Sequence, residues 1–276
     1  MKKTLGLLPG AAITAALAVA MAGPAGAADA LDAAVSGAHR SAEHRARDKW
    51  RHPAETLRFF GIRPDMHVVE IWPGKSGWYT EILAPYLADR GQLTVAVFGD
   101  QTDQYRDFML EANSAFAAKL DADPGVYEAV AVTSLWAPDQ VALAAPGSQD
   151  MVLTFRNLHN WMRWGQTEDV LAACYAALKP GGILGVTDHR SPEGRELDPE
   201  ARNGYVDQAT AIRMIEAAGF RFAGSSEINA NPADTADHPS GVWTLPPTLA
   251  LGDEDRDKYL AIGESDRFTL KFVKPE

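Results

Sequence analysis

The stretch VEIWPGKSGWYTEIL (Val69–Leu83) runs from an apolar segment through a turn containing Gly-Lys-Ser into a segment patterned as a helix. Gly-Lys-Ser closes the phosphate-binding loop of NTPases, whose pattern G-x-x-x-x-G-K-S/T places another glycine five residues before the last one. That position is Val69, inside the apolar segment. Only Trp72 and Pro73 separate the segment from Gly74, too few residues to curl a backbone nest around two phosphates. The stretch therefore reads as a strand–turn–helix junction. Val68–Ile71 is a short buried strand, and Tyr79, Ile82, Leu83, Tyr86 and Leu87 follow at helical spacing. Pro85 is expected to kink or shorten that helix.

Working outward, the same alternation continues. Strand patterns recur at Leu93–Phe98, Ala129–Thr133, Asp150–Phe155 and Ile183–Asp188, and two more, FRFAGSS and RFTLKFV, close the chain. Between them lie helical patterns through Tyr105–Phe116, Val170–Leu178 and Ala209–Ile215. The helix through Val170–Leu178 stops at Lys179-Pro180-Gly181-Gly182. This order predicts an α/β, Rossmann-like fold: seven mainly parallel strands with an antiparallel last strand, and helices on both faces. A Pro- and Asp-rich excursion, residues 229–266, precedes the last strand and is long enough to fold over a site as a lid.

The first residues read as a targeting segment. Lys2 and Lys3, an apolar run from Leu5 to Ala22, and Ala25-Gly26-Ala27 form the pattern of a cleaved signal peptide over residues 1–27. The chain is thus expected to be exported, to the periplasm or the medium, without stable membrane insertion after cleavage. A helical leader (residues 28–60) and a Rossmann-like domain (61–276) follow. The 276 residues carry a net charge of −11, and losing Lys2 and Lys3 takes it to about −13. A field of that sign repels phosphate backbones, which argues against a nucleic-acid partner. The one cysteine, Cys174, can form no intramolecular disulfide.

In open α/β sheets ligands bind beyond the carboxyl ends of the strands. Polar residues cluster at three such ends: Glu70 with the Gly74–Gly77 turn, then Arg156, Asn157, His159 and Asn160, then Asp188, His189 and Arg190. With LKPGG before the fifth strand, these fragments give the chain a resemblance to the class I S-adenosylmethionine (SAM)-dependent methyltransferases. More narrowly it resembles the exported predicted methyltransferases that carry RHP, GWYTEIL, TFRNLHNW and DHR in that order, a likeness running from Arg51 to the C-terminus. Trp72 and Ser76 stand where the methyltransferase turn carries glycine.

The resemblance implies SAM as cofactor, held by Glu70, Gly74, Lys75, Ser76, Gly77, Asp100 (the candidate ribose carboxylate after the second strand) and Asn157. It implies methyl transfer to a small-molecule or envelope acceptor. By residue type His159 and His189 are the candidate bases, with Asp188 orienting either histidine or a substrate. Arg156 and Arg190 suit a carboxylate or phosphate on the acceptor, Asn160 a hydrogen bond, and Trp161 and Trp164 an acceptor wall. The alternative is a non-catalytic protein binding a small-molecule or SAM-like ligand on the same fold. A serine hydrolase is disfavoured because no G-x-S-x-G elbow occurs. No metal site is expected; His39, His44 and His52 in the leader read as a solvated helix face.

Overall fold

The structure is a computed structural model describing residues 24–102, 104–196 and 198–276. The basic and apolar part of the expected signal segment, residues 1–23, lies outside the described residues. Four helices come first: α1 (Pro24–Ser36), α2 (Ala42–Ala46), α3 (Asp48–Arg51) and α4 (Pro53–Phe60). The alternating part follows as β1 (His67–Ile71), α5 (Thr80–Leu87), β2 (Gln92–Phe98), α6 (Arg106–Ala122), α7 (Pro124–Tyr127) and β3 (Ala131–Leu135). It continues as β4 (Gln149–Phe155), α8 (Leu158–Arg163), α9 (Thr167–Ala177), β5 (Leu178–His189), α10 (Gln208–Ala217) and β6 (Arg221–Ser226). The expected excursion contains a 3₁₀ turn (Gly241–Thr244) and α11 (Arg256–Ile262) before β7 (Arg267–Val273). No helix among the described residues is long and apolar enough to cross a membrane.

The strands form one sheet in the order β3-β2-β1-β4-β5-β7-β6, with β7 antiparallel to both neighbours and the others parallel. The expected α/β architecture with an antiparallel last strand is therefore present. Alternate strand residues feed two cores. Val68, Val95, Met151 and Leu153 pack under α1, α4, α5 and α6, while Val69, Ala96, Val152 and Leu184 pack under α9 and α10. Strands buried on both faces in this way read as continuous apolar runs rather than alternations.

One sequence expectation changes, and Pro85 is the reason. Pro85 does lie inside α5, but the missing amide is compensated. The carbonyl four residues earlier, on buried Glu81, would have no donor; the His39 ring nitrogen Nε2 lies 2.7 Å from it and supplies one. His44 Nδ1 sits 2.9 Å from the Glu81 carboxylate, which also meets Lys119 and, at 3.6 Å, Arg40. The leader histidines His39 and His44 are thus not a solvated face. They clamp the leader onto α5, because a proline-interrupted helix leaves a carbonyl that must be paired.

Removing that donor leaves a buried carbonyl orphaned, so His39→Ala is expected to cost about 1–3 kcal/mol of stability. Urea unfolding of the variant beside the wild-type chain checks this. A loss no larger than that of an exposed-surface substitution would contradict the assignment.

Candidate functional site

The strand order reverses between β1 and β4: the chain goes from β1 outward to β2 and β3, then returns to β4 on the other side. Helices α5 and α6 lie over one face and α9 and α10 over the other, so the turns after β1 and β4 diverge and a crevice opens between them. Each turn leans toward its outer neighbour. The Trp72 amide donates to the Ala96 carbonyl of β2 (2.8 Å), and the Arg156 amide to the Thr187 carbonyl of β5 (2.7 Å). Both residues take the left-handed conformation, φ +45° for Trp72 and +63° for Arg156. For side chains larger than glycine's this costs about 1–2 kcal/mol each and persists only where surrounding contacts over-determine it. Asn157 joins the two sides, its Nδ2 donating to the Ile71 carbonyl (2.9 Å) and toward Thr154 Oγ1 (3.3 Å).

A cavity of about 450 Å³ occupies the crevice. Its β1–β2 end is aromatic, walled by Trp72, Phe98, Tyr105, Phe108 and Trp164. The Trp72 indole donates to the Leu135 carbonyl at the end of β3 (3.2 Å), and its ring centroid lies 4.9 Å from that of Phe98 and 5.7 Å from that of Trp164. Glu70 is on the wall between the two ends, buried, with the Thr80 hydroxyl 2.7 Å from its carboxylate. Burial pushes its carboxyl up from 4.5 to about 7, against the opposing hydrogen bond from Thr80.

The β4–β5–β7 end is polar and cationic. His159, His189, Arg51, Arg156 and Arg267 line it, and Trp243 and Pro246 of the 229–266 excursion cover it. Asp188 lies beneath, fully buried, with its oxygens taken by the His159 and His189 amides (3.0 and 2.8 Å) and by His159 Nδ1 (2.9 Å). Donation from Nδ1 leaves His159 Nε2 as the open ring nitrogen. His189 Nδ1 meets Ser265 Oγ at 2.5 Å. Burial first, then His159 and the three arginines, holds the His189 imidazole well below its ordinary pKa, and therefore neutral.

Of the sequence candidates, Glu70, Gly74, Arg156, Asn157, His159, Asn160 and His189 meet at this cavity, with Asp188 behind them. The others do not reach it. Lys75 turns outward to Glu111 (2.6 Å) and the Phe108 ring, and Ser76 is no part of the wall. Gly77 is fixed by packing: a Cβ there would meet Phe116 at 2.6 Å, whereas one at Gly74 would meet nothing within 4 Å. Asp100 faces a separate depression, because Gln140 accepts from its amide (3.2 Å) and donates to its carbonyl (2.9 Å). Trp161 is wholly buried core, and of the two tryptophans only Trp164 is on the wall. Arg190 is held outside by Asp266 (2.8 Å) and Glu227 (2.7 Å), the Asp266 contact foremost in raising its pKa. Cys174 is buried, which pushes its thiol up to about 12 and leaves it inert.

Arg51 and Arg267 were not among the sequence candidates, yet both line the cavity. A signal existed for each. Arg51 opens the RHP fragment, and an antiparallel β7 must begin at the carboxyl edge, which pairs Arg267 with His189.

The fit to a SAM-type cofactor is partial. Glu70 suits an ammonium group, the open space at Gly74 suits close approach to the turn, and the aromatic wall suits a planar base. Among the described residues, no carboxylate following β2 lines the cavity to meet ribose hydroxyls. His159, Asp188 and His189 also offer ligand atoms within 4.8 Å of one another, as a metal would need. However, the arginines that disfavour a proton on His189 oppose a dication there too.

No protein-family model matches the chain, and comparison with curated proteins gives no match. Among solved structures it is similar to a SAM-dependent methyltransferase from Aquifex aeolicus, with a TM-score of 0.54 at 14% identity over 83% of this chain and 93% of that one. It is similar to phosphoethanolamine N-methyltransferase 2 of Haemonchus contortus in complex with S-adenosyl-L-methionine (TM-score 0.54, 14% identity, 82% of this chain), of which it spans about half, 53%. It is also similar to the cyclase SpnF (TM-score 0.55, 17% identity, 87% of this chain and 85% of that one). These likenesses show the fold, that of the class I SAM-dependent methyltransferases.

Glu70 makes stability depend on pH with a defined sign. Its folded pKa is above the unfolded value, so the stability associated with its protonated form is fully present below pH 4.5, is lost progressively as pH rises from 4.5 to about 7, and stays lost above. Glu70→Gln removes the titration while keeping an acceptor for Thr80. Its stability relative to wild type is expected to grow across that window to about 3 kcal/mol by pH 8, read from urea midpoints at pH 5, 6, 7 and 8. A difference that is flat with pH would remove the shift from Glu70.

Proposed function

We propose that this chain is a SAM-dependent methyltransferase acting on a small-molecule or envelope acceptor. The observation that carries the reading is one cavity, at the reversal of strand order, that joins an aromatic wall and a proton-holding Glu70 to the Asp188-supported His159. SAM, when bound, supplies an electrophilic methyl group. Glu70 would hold the ammonium group, losing its proton as the cation enters; Asn157 and the Gly74 turn fix the approach. His159 is the base. Asp188 fixes its tautomer, so Nε2 can take the proton from an oxygen or nitrogen nucleophile. His189, held neutral and weakly basic, is the poorer proton acceptor and serves better as a hydrogen-bond partner of the acceptor molecule.

The second reading, a ligand-binding protein on this fold without transfer, has its own support. The Trp72 indole lies across the ends of β1, β2 and β3, and Asp100 is turned away, so the place for an adenosine is narrower than the fold allows. Calorimetry separates the two. Titration with SAM and with S-adenosylhomocysteine is expected to give heat, with an affinity for SAM that rises between pH 6 and 8 as Glu70 releases its proton. His159→Ala should leave that affinity within about twofold, since a base acts on the acceptor and not on the cofactor. No heat at millimolar ligand would leave only the second reading.

Export belongs to the same proposal and rests on Lys2, Lys3, the apolar run and Ala25-Gly26-Ala27. The protein recovered from a fractionated bacterial expression host is expected to begin at Ala28. An N-terminus at Met1 in the cytosolic fraction would refute it.

A further inference from the structure

Arg51 and Arg267 are each 3% exposed, and Arg156 is half-buried beside them. With Arg47 they surround one carboxylate, Glu264. Arg47 Nε lies 2.6 Å and Arg51 Nε 2.9 Å from it, and Arg267 Nη2 also bonds it. Burial alone would raise the Glu264 pKa; the guanidiniums outweigh it and hold the group well below the usual carboxylate range. Counting Asp188, four guanidiniums face two carboxylates whose lone pairs are largely committed. The excess charge is concentrated at the cavity wall in a chain whose net charge is −11, so composition does not account for it.

Arg51 Nη2 and Arg267 Nε have no hydrogen-bond partner among the described residues. A void of about 10 Å³ beside them holds at most one water, which can accept their hydrogen bonds but cannot neutralise them. Arg156 forms no hydrogen bond through its guanidinium to any described residue. It is also held on a left-handed backbone where glycine would be unstrained. A guanidinium open to the cavity, crowded by other cations, without a partner among the described residues and placed at a cost of backbone strain favours an anion beside it.

We infer that the β4–β5–β7 end of the cavity is a recognition site for an oxyanion, the carboxylate or phosphate of a small molecule whose flat apolar body extends toward the aromatic end. Arg156 is its principal contact, with Arg51 and Arg267 behind it. The site does not depend on a cofactor at the β1–β2 end. Under the methyltransferase reading its ligand is the acceptor; under the second reading it is the ligand itself.

The test uses the chain without SAM. Phenyl phosphate and benzoate are titrated in low salt, with benzylamine as the cation of similar shape and inorganic phosphate as the bare anion, followed by calorimetry and thermal shift. The two aromatic anions are expected to bind and to weaken with added salt, and their relative affinities say whether phosphate or carboxylate is preferred. Benzylamine is expected not to bind, and inorganic phosphate to bind more weakly than phenyl phosphate. Arg156→Gln should weaken phenyl phosphate about tenfold or more. Arg156→Gly should do the same on a backbone that its φ suits, and Arg63→Gln, on the surface, should change nothing. Benzylamine binding as tightly as phenyl phosphate, unchanged affinity in both Arg156 variants, or no binding of either aromatic anion at millimolar concentration would overturn the inference. Anion binding without SAM binding would retire the methyltransferase reading and leave this site standing.

Discussion

The crevice exists because β1 and β4 are parallel neighbours whose following helices cover opposite faces of the sheet. At such a reversal, backbone groups at the two strand ends are left without a helix to close over them, and each needs a partner. The chain pairs them outward: Trp72 to Ala96, Arg156 to Thr187, and Asn157 across the gap to the Ile71 carbonyl. These bonds force two large residues into the left-handed region. One strained backbone aims an indole at the β1–β2 end, and the other puts a guanidinium at the β4–β5 end. The chemical polarity of the cavity follows from these two positions.

That polarity decides between competing occupants. His159, Asp188 and His189 have the residue types of a metal site, but the shared environment favours negative charge. The same three arginines lower the proton affinity of His189, deplete the Glu264 carboxylate of its proton, and repel any added cation. A histidine pair near arginines is better suited to holding an anion and moving a proton than to ligating a dication.

Much of this was legible in the sequence, and the misses share a cause. Strand and helix alternation, the antiparallel close of the chain and the strand-end clusters follow from periodicity and punctuation, which are local. Lys75, Asp100, Trp161 and Arg190 were assigned by proximity in sequence to a strand end. The side chains of Lys75, Trp161 and Arg190 are instead claimed by Glu111, by the core, and by Asp266 with Glu227, while Gln140 holds the backbone of Asp100. Such pairings are non-local and leave no periodic trace. The same holds for His39, whose partner is the carbonyl that Pro85 orphans 42 residues away in sequence. Arg267 was derivable, because reversing the last strand brings its first residue to the edge where parallel strands end.

Trp72 is the point on which the two functional readings divide. In a glycine-rich turn the absence of a side chain leaves room for a cofactor to lie against the backbone. Here the backbone keeps the glycine-like conformation while the side chain fills part of the room, braced by Phe98, Trp136 and Trp164 and by its bond to Leu135. The indole thus replaces apolar ligand surface with protein surface, and its face becomes the wall against which a flat molecule stacks. A ligand suited to this cavity therefore needs less of its own body at the β1–β2 end than the fold provides for, and more negative charge at the other. The arginine end constrains the ligand whichever reading holds, since it lies across the reversal from Trp72 and is unaffected by how that space is filled.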